Sequence, residues 1–242
     1  FYSRDYSNKT VAHIDIFKNK LLLGTGTGTF FYAELHSNSK QLILNKIKNN
    51  LTSIISDMRF YDSTMTFLNS DEISIKDLLV DNLNLYISYI KEVETDCFNV
   101  SILKSDLNIN FLKFETFFTF EECLSFKNIK EFNGQQSGGR IVKYKDTFLL
   151  SLGEFRKRTL AQDKNSNFGK ILQIDQNGKK IKNFSLGHRN PQGLFYDKEN
   201  KVILSTEHGP LGGDEINLIK ENNNYGWPIS SYGDHYDGSF KK

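Results

Sequence analysis

The chain contains 242 residues, of which 38% are hydrophobic and 13% aromatic, and its formal net charge is +2. A chain of this length can bury one substantial core, and all-β domains of this size are often single. The small, dispersed charge argues against a nucleic-acid-binding surface, and no apolar run approaches the ~18 residues of a membrane-spanning helix.

The β-hairpin is the recurring unit of the sequence. Helical periodicity is nearly absent, whereas short β-prone runs repeatedly flank a polar turn. Hairpins are predicted at 17–24, 60–68, 79–89, 142–152 and 195–205. The segment 111–120 reads FLKFETFFTF and predicts one or two amphipathic strands, and Asn177-Gly178 is a hairpin turn signal.

The spacing of these hairpins favours a β-propeller. They recur at irregular intervals of tens of residues, and a four-stranded antiparallel blade takes roughly 40 to 50 residues. The chain would therefore hold about five blades. We predict one β-propeller domain over residues 1–242.

The two cysteines, Cys97 and Cys123, leave two alternatives open. In an oxidising compartment they could form one disulfide bond, whereas elsewhere they would be two buried thiols. The chain begins at Phe1, with neither a methionine nor a signal-like basic region. We expect that processing or truncation removed the true start.

Three polar loops follow one another between Leu186 and Gly238. GHRNPQG places Arg189 and Asn190 before a proline that keeps the backbone extended. EHGPLGGDE combines glycines with the oxygen ligands Glu207, Asp214 and Glu215, a set that suits calcium. NNNYGWP carries two aromatic rings, at 225 and 227, that could stack on a flat ligand or pack against the wall of a site. Each loop alone is typical of an ordinary turn, but three together indicate a binding site.

These three sequence motifs, in this order and spacing, resemble the signature of soluble quinoprotein sugar dehydrogenases. This is the glucose/sorbosone dehydrogenase family, which uses pyrroloquinoline quinone (PQQ). The resemblance is strong from Gly134 to Gly238 and weak before it. It implies a six-bladed β-propeller of four-stranded antiparallel blades, and its members continue well past the YDG motif. The chain therefore looks truncated at its C-terminus, and we expect further cofactor contacts from absent blades.

The resemblance also implies a set of cofactor and metal residues. Arg189 and Asn190 would bind the acidic, planar quinone, and Tyr236 would flank it. The carbonyl oxygens of Gly209 and Pro210 would hold a Ca²⁺ ion that polarises the quinone as a Lewis acid. Two further positions that match calcium ligands in the family are Glu215 and Tyr225, which could hold a second, structural ion.

One position departs from the family pattern. The family's catalytic histidine stands four residues before the arginine of a Gly-Arg pair, and counting back from Arg140 gives Gln136. A carboxamide cannot accept the proton of the anomeric hydroxyl, so general-base catalysis would be lost unless another group replaces it. Glu154 stands where the family places the acid that orients the histidine, and it could reach the substrate through a water molecule or be an acid left without its partner.

His188 and His208 lie inside the same motifs. We interpret both as structural hydrogen-bonding residues, although either is a conceivable replacement for the missing histidine.

The resulting prediction is a PQQ-dependent oxidoreductase that transfers hydride from C1 of an aldose to the quinone, with its activity in doubt because of Gln136. Its partners would be a sugar substrate and an external electron acceptor, and its location the periplasm or the exterior of the cell. One alternative is a calcium-bearing propeller that only binds a sugar or a protein. The other is a calcium-dependent propeller lactonase, in which a metal-bound water molecule attacks an ester.

Overall fold

The structure, a computed structural model, describes residues 11–35, 41–54, 75–125, 127, 132 and 134–234. These residues form β-sheets, one four-residue helix α1 (Leu51–Ile54) and two short 3-10 turns, Gly134–Ser137 and Arg158–Ala161. The all-β class is therefore confirmed. Among the described residues no helix has the length and apolar character needed to cross a bilayer.

The strands of this part of the chain are numbered in chain order. They are β1 (Ala12–Phe17), β2 (Lys20–Thr25), β3 (Phe30–Glu34), β4 (Asn45–Asn49), β5 (Ile75–Asp81), β6 (Asn84–Glu94), β7 (Cys97–Asp106), β8 (Phe111–Leu112), β9 (Glu115–Phe118), β10 (Leu124–Ser125), β11 (Gly138–Tyr144), β12 (Thr147–Leu152), β13 (Lys170–Ile174), β14 (Ile181–Leu186), β15 (Pro191–Asp197), β16 (Val202–Glu207) and β17 (Glu215–Ile219).

Most of the predicted hairpins are present. β1–β2, β5–β6, β11–β12 and β15–β16 pair as antiparallel neighbours, and 111–120 contains the two short strands β8 and β9. The first three hairpins have two-residue turns that begin at Lys18, Asn82 and Lys145, each with a left-handed φ. The hairpin predicted at 60–68 lies outside the described residues.

Four sheets follow one another around a common axis. Their first strands, β1, β5, β11 and β15, pack side by side in that order, which is the arrangement of propeller blades. The described residues thus form an all-β propeller with four blades, where about five were predicted. The six-bladed count, the C-terminal truncation and the single domain over 1–242 stay predictions.

The blades are also less uniform than predicted. Among the described strands, only those of the third sheet, β11-β12-β13-β14, form a four-stranded sheet in simple order. The first sheet gains a fifth strand because β8 pairs in parallel with β4, and in the second sheet both β9 and β10 pair with β7. The fourth sheet has three described strands, β15-β16-β17. The added pairings join distant segments, so local turn signals do not reveal them.

The core lies between neighbouring blades. Alternate residues of the third sheet point to opposite faces: Leu150 and Leu172 pack towards the second sheet, while Leu149 and Ile171 pack towards the fourth. The third sheet is therefore buried on both sides. This packing gives rigid support to the loops at its ends, where the candidate site lies.

Of the two alternatives for the cysteines, a disulfide bond or two buried thiols, the structure shows a disulfide bond between Cys97 and Cys123. It joins the start of β7 to the residue before β10, so it pins the outer edge of the second blade. Among the described residues there is no free cysteine.

Candidate active site

The predicted catalytic and cofactor residues meet at one end of the third and fourth blades. Gln136 lies in the 3-10 turn before β11, and Glu154 lies two residues after β12 ends. Because β11 and β12 are antiparallel, the start of one and the end of the other share an edge. Arg189 and Asn190 occupy the connection from β14 to β15. The topology thus brings together four side chains that stand up to 54 positions apart, from 136 to 190.

Backbone hydrogen bonds hold these segments against one another. The amide of Phe155 donates to the carbonyl of Gln136 at 3.0 Å, and the amide of Glu154 donates to the carbonyl of Arg189 at 3.1 Å. The Oδ1 atom of Asn190 accepts from the amide of Gly138 at 3.1 Å. Gly153 is required at its position, since a Cβ atom would lie 2.2 Å from the carbonyl oxygen of Gln136. The site is therefore built on tightly fixed main chain.

The side chain of Gln136 lies between a carboxylate and two guanidinium groups. In the amide orientation that satisfies these neighbours, its nitrogen donates to Glu154 Oε1 at 3.0 Å, and its oxygen accepts from Arg189 Nη2 and Arg156 Nε, both at 3.2 Å. Gln136 is 6% exposed and Glu154 is fully buried. Gln136, which is predicted to occupy the family's base position, thus directly contacts Glu154, which is predicted to occupy the position of the acid that orients the base.

The turn after Glu154 has an unusual backbone. Phe155 and Arg156 both adopt left-handed φ values, 49° and 69°, which cost roughly 1 to 2 kcal/mol for each residue that is not glycine. The Phe155 ring is fully buried and lies 5.5 Å from the rings of Phe132 and Phe168. This packing offsets the strain and fixes the direction in which the Arg156 side chain leaves the main chain.

The Arg189 guanidinium is held from several sides. Its Nη1 atom donates to the carbonyl oxygens of His208 at 2.7 Å and Gly209 at 2.9 Å, and its Cζ atom lies 5.3 Å from the Trp227 ring centre. The residue is 7% exposed. This arrangement presents a fixed cation beside Gln136, as binding of an acidic ligand requires. Of the two alternatives for the aromatic rings of the NNNYGWP loop, stacking on a ligand or packing against the wall of the site, Trp227 follows the second.

Glu207 organises the loop that carries Arg189, and its sequence-based interpretation as a metal ligand stays a prediction. One carboxylate oxygen accepts from the backbone amides of Arg189 and Asn190, and the other lies 3.0 Å from His188 Nδ1. These bonds satisfy the carboxylate within the protein, because β15 and β16 pair so that Pro191 faces Glu207. The register of the β15–β16 hairpin therefore decides the role of Glu207. Turn signals in the sequence locate a hairpin but do not fix its register.

His188 is a structural residue, as interpreted from the sequence. It is fully buried, its Nε2 atom lies 2.8 Å from Ser185 Oγ, and its ring stacks on Tyr225 at 4.8 Å. With both ring nitrogens hydrogen-bonded, it is not available as a replacement base.

His208 and Asp214 interact with each other. His208 Nδ1 lies 2.9 Å from Asp214 Oδ1, which also accepts from the amide of Gly209 at 2.9 Å. The hydrogen bond from His208 lowers the pKa of the Asp214 carboxyl group, with a smaller contribution from the Gly209 amide. This second predicted oxygen ligand therefore shapes the glycine-rich loop in the structure.

The residues predicted to bind metal surround one small cavity together with Arg189. Its lining includes Gly209, Pro210, Glu215 and Tyr225. The space open to the centre of a water molecule is about 10 Å³, which is roughly the room that one water molecule needs. The cavity can hold an ion or a water molecule but is too small for a tricyclic quinone. Among the described residues, no group of three His, Cys, Asp or Glu side chains could by itself hold a metal ion.

Two oxygen atoms of the residues predicted to bind metal, the Gly209 carbonyl and the Tyr225 hydroxyl, already have hydrogen-bond partners. The Gly209 carbonyl accepts from the Arg189 guanidinium, so an ion bound there would lie near a fixed positive charge. The Tyr225 hydroxyl donates to the Leu218 carbonyl at 2.7 Å and accepts from the Lys220 amide at 2.8 Å, and burial raises its pKa. A metal at Tyr225 would therefore have to use its carbonyl oxygen. Tyr236, predicted to flank the cofactor, lies outside the described residues.

Sequence reasoning missed Arg156. It follows Glu154 by two positions in an unremarkable basic stretch, and only the two left-handed residues turn its side chain towards Gln136. A single sequence carries no signal for that backbone, since Phe and Arg rarely adopt it.

Known proteins resemble this chain in both sequence and fold. The aldose sugar dehydrogenase YliI of Escherichia coli is 35% identical over 119 residues, covering 43% of this chain and 32% of that protein. The quinoprotein glucose dehydrogenase B of Acinetobacter calcoaceticus is 39% identical over 85 residues, covering 30% and 18%. The solved structure of the soluble aldose sugar dehydrogenase of Escherichia coli in its apo form superposes with a TM-score of 0.71 at 22% identity, covering 96% of this chain and 65% of that chain.

The matched parts span about a third or less of these two relatives. The structural superposition shows a shared propeller fold across nearly the whole chain. Residues 72–242, which contain Gln136, Glu154 and the Arg189 loop, match the Glucose / Sorbosone dehydrogenase family. The fold, the convergence of these side chains and this match together show that the chain belongs to the glucose/sorbosone dehydrogenase family.

Proposed function

We propose that this protein binds PQQ beside Arg189 and Asn190 and a sugar beside Gln136 and Glu154. The convergence of Gln136, Glu154 and Arg189 carries this proposal, because it joins the cofactor loop to the position of the family's base. The chemical fit to PQQ is good, since a fixed guanidinium suits a planar acid. The small cavity does not enclose the quinone, so the proposal concerns contact with Arg189 and not a complete pocket.

The proposed reaction is oxidation of an aldose at C1. Bound PQQ would supply a hydride acceptor. The remaining task for the protein is to take the proton of the anomeric hydroxyl group, and the amide of Gln136 cannot do so. Glu154 is the adjacent carboxylate, but its contact with Gln136 turns one oxygen away from a substrate. We therefore propose cofactor binding with weak or absent turnover of glucose.

Calcium belongs to the same proposal. The carbonyl oxygens of Gly209 and Pro210 would supply two of the six to eight ligands that Ca²⁺ takes, and Glu215 lines the same cavity. The remaining charge would come from the acid groups of the cofactor, because Arg189 lies beside Gly209. We propose that calcium binding is linked to cofactor binding and is weak without it.

We propose a periplasmic or secreted location and an electron acceptor outside the protein. The disulfide bond between Cys97 and Cys123 supports the location, since such bonds persist in oxidising compartments. A hydride acceptor that is reduced once in each turnover must be reoxidised, and this requires an external acceptor.

A second candidate function is sugar or protein binding without oxidation. The hydrogen bonds of Gln136 to Glu154, Arg156 and Arg189 favour it, because they hold an amide where a base would be needed. The lactonase alternative has no such support, since the described residues offer no cluster of metal-binding side chains.

The experiment is a PQQ titration followed by dye-linked oxidation of aldoses. We expect saturable binding that Arg189→Gln weakens at least about tenfold, as loss of a charge-assisted hydrogen bond would. Lys182→Gln is the control, because Lys182 forms a surface ion pair with Glu221 away from the site. Absence of PQQ binding would contradict the proposal and favour the binding function. Robust glucose oxidation by the unmodified protein would contradict the role assigned to Gln136 and would leave Glu154 or His208 as the base.

A further inference from the structure

Resting on the proposed function, we propose that Arg156 binds substrate and makes the site select a sugar bearing a carboxylate over a neutral aldose. The proposal concerns the substrate class of the same site. It follows from the position, the backbone and the charge of Arg156.

The position of Arg156 places it on the substrate side of the site. Its Nε atom lies 3.2 Å from the Gln136 side-chain oxygen, and Arg189 Nη2 lies 3.2 Å from the same atom. Because Gln136 occupies the position of the group that would contact the sugar, both guanidinium groups border that space. Arg156 is also partly exposed, so a ligand can reach it.

Specific contacts hold the backbone around Arg156 in its conformation. Phe155 and Arg156 both hold a left-handed φ, a region that favours glycine and that proteins retain mainly at functional sites. The buried Phe155 ring and the hydrogen bond from its amide to Gln136 enforce this turn. A relaxed turn would not direct the arginine in this way.

The charges at Gln136 favour an anion. Arg156, Arg189 and the carboxylate of Glu154 all contact its amide. Because Arg189 is assigned to an acid group of the cofactor, Arg156 is the guanidinium group that remains to pair with an acid group of the sugar. Arginine matches a carboxylate with two parallel hydrogen bonds, whereas a neutral hydroxyl group gains only part of this interaction. The chemistry therefore suits a uronic or aldonic acid better than glucose.

The experiment compares binding of D-glucuronate and D-glucose to the full chain by calorimetry, with and without PQQ. We expect the unmodified protein to bind glucuronate at least about tenfold more tightly, the effect of one charge-assisted hydrogen bond. Arg156→Gly should remove the preference while remaining folded, because glycine suits the left-handed backbone. Arg156→Lys should keep part of it. Lys157→Gln is the matched control, as it removes an exposed charge from the same loop, and it should change the preference by less than about twofold.

Three outcomes would overturn the inference. They are equal affinity of the unmodified protein for the two sugars, an undiminished preference in Arg156→Gly, and an equal loss in Lys157→Gln, which would indicate a general effect of charge. The measurements made without PQQ distinguish a failure of the role of Arg156 from a failure of the proposed cofactor binding. A preference without PQQ binding would contradict only the cofactor assignment, whereas PQQ binding without a preference would contradict only the role of Arg156.

Discussion

Replacing Gln136 by histidine should place a general base at the position that we assign to the family's catalytic histidine. The carboxylate of Glu154 lies 3.0 Å from the Gln136 side-chain nitrogen, so an imidazole at 136 can donate one N–H to it. That hydrogen bond would fix the tautomer and leave the other ring nitrogen free to accept a proton, as in a catalytic triad. The two guanidinium groups on the far side of residue 136 disfavour a second proton on the ring.

The expected magnitude follows from these charges. General-base catalysis contributes about 10²- to 10⁴-fold. A unit charge about 4 Å away acts with about 4 kcal/mol at an effective dielectric constant of 20, so Arg156 and Arg189 together outweigh Glu154 and lower the pKa of the new imidazole. A weaker base works towards the lower end of the range, and we expect a gain of about 10²-fold in kcat.

The assay is dye-linked oxidation of glucose and glucuronate with PQQ, measured over a range of pH. The rate of Gln136→His should rise with pH as the imidazole loses its proton and then level off. Gln136→Asn keeps an amide and should show no gain. Adding Glu154→Gln to Gln136→His should remove most of the gain, because the ring loses its orienting acceptor. A folded Gln136→His protein that binds PQQ but gains no activity would refute the assignment of residue 136 to the base position.

Three further predictions concern stability. Replacing both Cys97 and Cys123 by serine should lower the free energy of unfolding by about 3.5 kcal/mol in urea, from the entropy of opening a loop with a sequence separation of 26; an unchanged midpoint would contradict it. Burial lowers the pKa of His13, as does Arg140, while Asp77 opposes them. Unfolded His13 takes up a proton below about pH 6.5 while folded His13 resists it, so stability should fall below that pH, and His13→Gln should flatten the dependence. Excess Ca²⁺ should raise the melting temperature in the presence of PQQ, and identical curves with calcium and with a chelator would exclude the ion.

Local features of the fold were predictable because they depend on neighbouring residues. The hairpins at β1–β2, β5–β6 and β11–β12 follow from alternating apolar residues around a polar turn. The pairing of β8 with β4 was not predictable, since it joins Phe111 to Lys48 across 63 positions. The make-up of a blade depends on such pairings, so the first two described sheets differ from the predicted simple four-stranded blade.

The residues of the candidate site likewise divide into those that could be predicted from the sequence and those that could not. Gln136, Glu154, Arg189 and Asn190 were identified through a family pattern, and the fold brings them together. The roles of Glu207 and Arg156 depend on strand register and on a strained turn. A carboxylate in a glycine-rich loop can bind a metal or cap backbone amides, and only the facing loop decides between the two.

A structure of the full chain crystallised with PQQ tests the central claim most directly. We predict the planar quinone with an acid group against the Arg189 guanidinium and within reach of the Gln136 side chain. Electron density for the quinone at any other place, away from the Arg189 guanidinium, would contradict this assignment.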